Sequence, residues 1–194
     1  MMLATNAVRA CSRGTCRSRP GAAGRRRAGE GRASWEYPGM TMWKLPPPAK
    51  VYEAFSALAD GRVRLREPGR AEVTSSAGDK TYTVEWAGEF ETITANDNAS
   101  YWQGYLGYPI VAVLIAAGRV QADEAAIEAL AGIDWHALNG RFKRDYEAAV
   151  SCVLDGLDER GEDPVDVVRE VGRVMDQLEV LELKRGGRSR RPPR

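Results

Sequence analysis

The chain has 194 residues and is almost neutral, with 28 Lys and Arg against 27 Asp and Glu, but its charge is unevenly distributed. Residues 1–39 carry a net charge of +6 and residues 184–194 another +6, whereas residues 40–183 hold 14 basic and 25 acidic side chains, a net of −11. Because an acidic body repels phosphate, we expect any affinity for nucleic acid to come from the ends or from a local patch.

The composition divides the chain into three parts. Residues 1–41 are rich in Arg and poor in large aliphatic side chains, so we predict a disordered extension. It lacks the apolar stretch of a secretory signal, which leaves three interpretations: a mitochondrial transit peptide, a basic arm, or a translation start at Met40 or Met42. Residues 42–183 are long enough for one self-supporting acidic α+β domain, and residues 184–194 form a basic tail that we predict to be disordered.

Cysteine usage and hydropathy indicate a soluble protein of a reducing compartment. The chain has three cysteines, Cys11, Cys16 and Cys152, an odd number without the spacing of a disulfide framework. The most apolar run, residues 109–117, is too short to cross a bilayer. We therefore predict a cytoplasmic protein without a membrane anchor.

The first half of the body predicts a short helix followed by an antiparallel sheet. Apolar residues between Val51 and Leu58 have helical spacing, and Asp60-Gly61 ends the helix. Four short runs with alternating or β-branched residues follow, separated by turns rich in Gly, and such short connections favour a four-stranded antiparallel meander. The strands are predicted at residues 63–66, 71–75, 81–86 and 89–94, and the buried face is predicted to hold Val73, Tyr82, Val84, Trp86, Phe90 and Ile93.

The second half predicts four helices. The apolar run 109–117 is typical of a central helix packed on a sheet, and residues 123–131 form a shorter helix that ends at Gly132. A long helix is predicted over 134–157, with Asp134 as its N-cap. The last begins at Asp163-Pro164, a capping residue followed by proline at the first helical position, and continues to Leu181. We expect the two long helices to pack antiparallel.

Few residues suggest catalysis. His136 is the one histidine of the chain, and it lies near a helix start without a neighbouring nucleophile motif, which favours an exposed structural position. The pair Cys11 and Cys16 offers too few ligands for a zinc site, and neither a phosphate-binding loop nor a dinucleotide fingerprint is present. The sequence therefore predicts no metal, no cofactor and no catalytic residue.

The segment between the sheet and the apolar helix is unusual, because many aromatic and amide side chains are concentrated in it. Such residues make good recognition surfaces, since the rings give contact area at little entropic cost and the amides give direction. A second interpretation is an irregular turn whose side chains cap the next helix while its rings cover the core. Ser75 and Ser76 are expected nearby. The candidate binding residues are Asn96, Asp97, Asn98, Tyr101, Trp102, Gln103, Tyr105 and Tyr108.

From Ala71 to Gly118 the order of features resembles SWIM-type zinc fingers. A strand ends in Ser75-Ser76, a glycine turn and the strand Tyr82-Thr83-Val84 follow, and a further strand and a loop lead into the apolar helix after Tyr108. That family binds zinc through a Cys-x-Cys and a Cys-x-His pair, whereas this chain has Thr92 and Thr94 near the first pair and residues 109–111 near the second. The resemblance implies a module in which hydrophobic packing replaces the metal and whose relatives interact with protein or DNA.

From these observations we expect a non-catalytic intracellular binding or adaptor module that recognises a macromolecular partner through residues 96–108. A protein partner is expected, and the acidic body favours a basic one; self-association is also open. A nucleic-acid-associated factor would instead use the basic tail with Arg62, Arg64, Arg66 and Arg70. A small-molecule enzyme would use Asp97, Tyr101, Tyr105 and His136, and it requires a concave pocket with a perturbed carboxylate.

Overall fold

Six α-helices, one π-helical turn and five strands make up the part of the chain that the computed structural model describes, residues 41–66, 68–187 and 190–193. The expectations for residues 1–40 lie outside the described residues. In chain order the elements are α1 (Ala49–Ala59), β1 (Val63–Leu65), β2 (Arg70–Thr74), β3 (Thr81–Ala87), β4 (Thr92–Ala95), the π-helix (Ala99–Gln103), α2 (Tyr108–Ala116), α3 (Glu124–Glu128), α4 (Trp135–Arg141), α5 (Tyr146–Glu159), α6 (Pro164–Val180) and β5 (Lys184–Arg185).

The fold is α+β, and its sheet confirms the predicted meander. Strands β1 to β4 lie side by side in chain order and pair antiparallel, while the short β5 adds a fifth, parallel strand beside β4. Val73, Val84, Phe90 and Ile93 are buried as predicted, whereas Tyr82 and Trp86 are half-buried. The first two residues of the predicted disordered tail, Lys184 and Arg185, belong to the sheet.

The fourth strand is shorter than the predicted 89–94. Residues 88–91 turn instead, and Phe90 takes a left-handed backbone with φ of 66°. This conformation is unusual for a large side chain. The Phe90 ring lies stacked on Trp86, with 4.7 Å between the ring centres, and this aromatic packing stabilises the turn. The alternation of apolar and polar residues by itself predicts that the strand continues through these positions.

Helices α1 and α2 lie at the centre of the molecule. The six residues from Pro109 to Leu114 are buried in α2, as expected of a nearly all-apolar helix. Helix α1 differs from the predicted amphipathic helix, because residues 49–57 are all buried, including Lys50, Glu53 and Ser56. Its polar face is covered because α2, α3, α5 and α6 all pack around it.

The predicted helix over 134–157 is wrong, because it is two helices, α4 and α5. Lys143 and Arg144 have φ of 53° and 69°, which breaks the helical path. Asp145 then caps the new helix by accepting a hydrogen bond from the Ala148 amide at 3.1 Å. The caps at Asp134 and Asp163 are confirmed, and α5 and α6 contact each other as the last two helices.

The two ends of the described domain meet at the sheet edge. The Trp43 amide donates to the Leu183 carbonyl and the Arg185 amide to the Thr41 carbonyl. The next residue, Lys44, pairs through its backbone with residues 104–106. This pairing fixes the position of the residues just before α2. Among the described residues, no helix has both the length and the apolar character needed to span a bilayer.

Candidate functional site

A cleft with a volume of about 1000 Å³ lies between α1, the β2–β3 turn, the residues after β4, and the α4–α5 break. Six of the eight predicted binding residues line it: Asp97, Asn98, Trp102, Gln103, Tyr105 and Tyr108. Ser75, Ser76 and His136 also line it, so the expectation that the serine pair lies near the segment agrees with the structure. Asn96 and Tyr101 lie outside this lining.

Residues 96–108, which we call the aromatic-polar segment, are shaped by side-chain caps. Asp97 Oδ1 accepts hydrogen bonds from the amides of Ala99 and Ser100, both at 3.0 Å, and so starts the π-helix. Gly104, with φ of 72°, ends it. The Gly107 amide then donates to Ser100 Oγ at 3.0 Å, which closes the segment on itself. The second interpretation of this segment expected side-chain caps on the next helix, α2, but among the described residues the N-cap position of α2, Gly107, receives none. The hydrogen bonds of Asp97 shape the π-helix instead.

Asp97 is almost completely buried, with 3% of its surface exposed. Its carboxylate lies directly against Gly107, where a Cβ atom would collide with it. Burial raises the pKa of Asp97, although hydrogen bonds from Ser100 and Ala99 and the Lys50 charge oppose the rise. Among the described residues Oδ2 has no hydrogen-bond partner. Asp97 is thus a structural cap with one carboxylate oxygen unused.

Helix α1 contributes a buried ion pair to the floor of the cleft. Lys50 Nζ donates to both oxygens of Glu53, at 2.7 and 2.8 Å, and lies 4.4 Å from the ring centre of Tyr146. Burial by itself lowers the pKa of Lys50, but the Glu53 charge and hydrogen bonds outweigh burial and raise it. Glu53 also accepts from Asn139 Nδ2 at 3.2 Å, which links α1 to α4.

Aromatic rings form the wall on the segment's side. Tyr108 meets Tyr82 edge to face with 6.0 Å between ring centres, and burial raises the pKa of Tyr108 far above its usual range. Trp102 is different, because 66% of its surface is exposed. Tyr101 lies edge to face against it at 4.6 Å, so Tyr101 positions Trp102 from outside the cleft.

The opposite wall comes from α4 and the α4–α5 break. Trp135 is 4% exposed, and within the described part of the chain neither its Nε1 nor Asn139 Oδ1 finds a hydrogen-bond partner. Lys143 and Arg144 line the rim with the left-handed backbone noted above. The candidate residues predicted from the sequence do not include Lys50, Glu53, Trp135, Asn139, Lys143 or Arg144.

Ser75 and His136 do not form a nucleophile and base pair. The Ser75 hydroxyl donates to Asp79 Oδ1 at 2.8 Å, and this hydrogen bond lowers the pKa of Asp79 with help from the Lys80 and His136 charges. A Ser-His-Asp triad needs the imidazole between the hydroxyl and the carboxylate. In the described residues the Asp79 carboxylate accepts the hydrogen bond of the Ser75 hydroxyl directly, and the backbone amide of His136 donates to Ser76 Oγ.

Two of the four arginines around β1, Arg62 and Arg66, have protein partners. Arg62 donates to Asp60, to Ser56 Oγ and to the Thr74 carbonyl. Arg66 donates two hydrogen bonds to Glu72, at 2.9 and 2.7 Å. Arg62 lines the cleft, whereas Arg64, Arg66 and Arg70 do not. The four arginines therefore do not form one free basic surface.

Comparison with known proteins gives one family. No curated protein and no solved structure matches the chain. The family result does not bear on the resemblance to SWIM-type zinc fingers, which stays a prediction. The matched range, residues 43–184, contains every residue of the cleft, and by that match the chain belongs to the family described as "Uncharacterised conserved protein UCP014422".

Proposed function

We propose that this protein is a non-catalytic binding module whose cleft receives a segment of a macromolecular partner. The observation that carries the proposal is the cleft itself, about 1000 Å³ in volume and lined by aromatic rings together with polar and charged side chains. Three of its lining residues also carry a buried polar atom without a partner among the described residues: Asp97 Oδ2, Trp135 Nε1 and Asn139 Oδ1. Leaving such an atom unpaired costs about 1–3 kcal/mol, and a ligand that reached it after a small side-chain movement would offset that cost.

Trp102 supports a macromolecular partner rather than an enclosed small molecule. Its ring is mostly exposed at the rim and is held by Tyr101. Tryptophan is enriched among the residues that contribute most to protein interfaces, because it buries a large rigid surface. A partner that enters the cleft and extends past the rim would cover it.

A small-molecule enzyme is the second candidate, and the concave cleft with a raised pKa at Asp97 favours it. Two observations argue against an enzyme. Asp97 Oδ1 is occupied by two backbone amides, and Tyr101, one of the residues expected to act, lies outside the cleft lining. We therefore place binding before catalysis.

The nucleic-acid alternative depends on the basic tail, and its test needs an adjusted boundary. Deleting residues 184–194 would also remove β5, so a loss of binding would have two explanations. Deletion from residue 188 keeps β5 and its backbone hydrogen bonds. If the tail contributes phosphate affinity, this shorter deletion removes binding that weakens steeply with salt.

The proposal is tested by affinity capture from native lysate with the full chain, in parallel with Trp102→Ala and with Val180→Ala as a matched control. Val180 is an exposed apolar residue of α6 outside the cleft. We expect proteins that the wild type and Val180→Ala retain, that Trp102→Ala loses, and that nuclease treatment does not release. Capture that is nuclease-sensitive and unaffected by Trp102→Ala would contradict the proposal.

A further inference from the structure

The charge of the cleft differs from that of the acidic body. Residues 40–183 carry a net charge of −11, yet the cleft lining has more basic than acidic side chains. The basic residues are Lys50, Arg62, Lys80, Lys143 and Arg144, and the acidic ones are Glu53, Asp79 and Asp97.

Three of these basic side chains already have carboxylate partners. Lys50 pairs with Glu53 at 2.7 Å and Arg62 with Asp60 at 3.0 Å, and Lys80 lies 4.0 Å from Asp79. In the parts of the chain that the structure describes, Lys143 and Arg144 make no ion pair. Among the described basic residues of the cleft lining, the two without an ion-pair partner, Lys143 and Arg144, are therefore adjacent.

These two residues also have an unfavourable backbone. Left-handed φ values are unfavourable for residues with a Cβ, and glycine would avoid that cost. Strain of this kind persists where the surrounding structure imposes it, and it concentrates at binding sites. Here it places two cations, rather than two glycines, at the cleft rim.

We propose that the cleft binds an acidic segment of a protein partner, whose carboxylates pair with Lys143 and Arg144 while an apolar side chain packs on Trp102. This inference rests on the proposed function and names the chemistry of its partner. The basic partner expected from net charge does not fit this cleft, since nearby charges dominate over distant ones at physiological salt.

An extended nucleic acid fits the surface less well than a short acidic segment. Its phosphates would continue beyond the two cations onto an acidic body. A second groove, of about 580 Å³ between α3 and α6, illustrates the negative charge of the body, because six carboxylates and two arginines line it. Only a ligand with its negative charge confined to the cleft avoids this repulsion.

The test is selection from a displayed library of short random peptides by the full-length protein. We expect peptides enriched in Asp and Glu next to an aromatic or aliphatic residue, with binding that weakens as salt rises. Lys143→Glu/Arg144→Glu should lower the affinity for a selected peptide by about tenfold or more. The control Arg119→Glu/Arg141→Glu makes the same charge change outside the cleft lining and should retain binding.

Lys143→Gly/Arg144→Gly separates charge from folding. Because glycine accepts both φ values, this variant should melt at or above the wild-type temperature and still lose the acidic peptides. Unchanged binding by it would overturn the inference, as would selected peptides without acidic residues or a labelled oligothymidylate that binds through Lys143 and Arg144. If the wild type selects no peptide that depends on Trp102, the proposed function itself fails.

Discussion

At the scale of single residues, the contact between Gly107 and Asp97 is the tightest constraint on the candidate site. A methyl group at position 107 would overlap the Asp97 carboxylate. We expect Gly107→Ala to lower the free energy of unfolding by about 1–3 kcal/mol, because the buried carboxylate or the segment must shift. Urea unfolding measures this change.

Gly156→Ala is the control for that substitution. Gly156 lies within α5, where an added Cβ meets nothing within 4 Å. Because alanine favours a helix over glycine, this variant should gain up to about 1 kcal/mol. Equal effects of the two substitutions would mean that the carboxylate does not restrict position 107.

The raised pKa of Asp97 predicts a pH dependence. The folded protein holds this proton to higher pH than the unfolded chain, so the contribution of Asp97 to stability is lost as pH rises from the ordinary carboxyl pKa, about 4, through the raised value. Asp97→Asn stays neutral and keeps an oxygen for the two amides. The stability of this variant relative to wild type should therefore increase with pH across that window and be constant below it. Urea titrations at a series of pH values test this, and a constant difference throughout would contradict it.

The sequence predicted one wall of the cleft, the aromatic-polar segment, because the residues of that wall are close together in the chain. The two segment residues outside the cleft have structural roles: Asn96 Oδ1 accepts from the Thr83 amide at 2.7 Å, and Tyr101 supports Trp102. The opposite wall could not be predicted this way. Trp135 matches the pattern of a core residue, and Lys50 with Glu53 that of a solvated helix face, so only tertiary packing reveals that they line a cleft.

At the scale of elements, local signals predicted several helix starts and turns correctly. Asp134 and Asp163 cap helices as expected, and the glycine turns set the antiparallel meander. Periodicity failed at residues 143–145. The apolar stripe continues across α4 and α5, but it does not report the left-handed backbone of Lys143 or the new cap at Asp145.

Strand β5 gives a prediction about the chain's C-terminal part. Amides of Lys184, Arg185 and Gly186 donate to Glu91, Thr41 and Ile93 carbonyls, and the Arg185 guanidinium lies 5.1 Å from the Trp43 ring centre. A chain ending at Leu183 should lose about 1–3 kcal/mol of stability, since each such hydrogen bond contributes about 1 kcal/mol.

A chain ending at Gly187 is the matched control, because it keeps those three hydrogen bonds. Its melting temperature should equal that of the full chain, measured by circular dichroism. If both truncations melt alike, β5 does not contribute to stability and the tail begins at residue 184 after all.

At the scale of the whole molecule, the cleft is assembled from parts that are distant in sequence. Helix α1 supplies the buried Lys50–Glu53 pair, the aromatic-polar segment supplies Trp102, and the α4–α5 break supplies two cations that form no ion pair within the described part of the chain. The chain's net charge describes none of this, because the −11 of the body conceals a cleft with an excess of basic side chains. We therefore infer the charge of the partner from the side chains that line the cleft, and not from the net charge of the body.

The most direct test of the cleft as the binding surface is photo-cross-linking in cells from a benzophenone amino acid at position 102, with the same group at position 180 as control. Both positions are exposed, but only Trp102 lines the cleft. We expect a discrete protein adduct from position 102 that is absent from position 180 and is lost on adding Lys143→Gly/Arg144→Gly. Adducts of equal yield from both positions, or none from position 102, would contradict it.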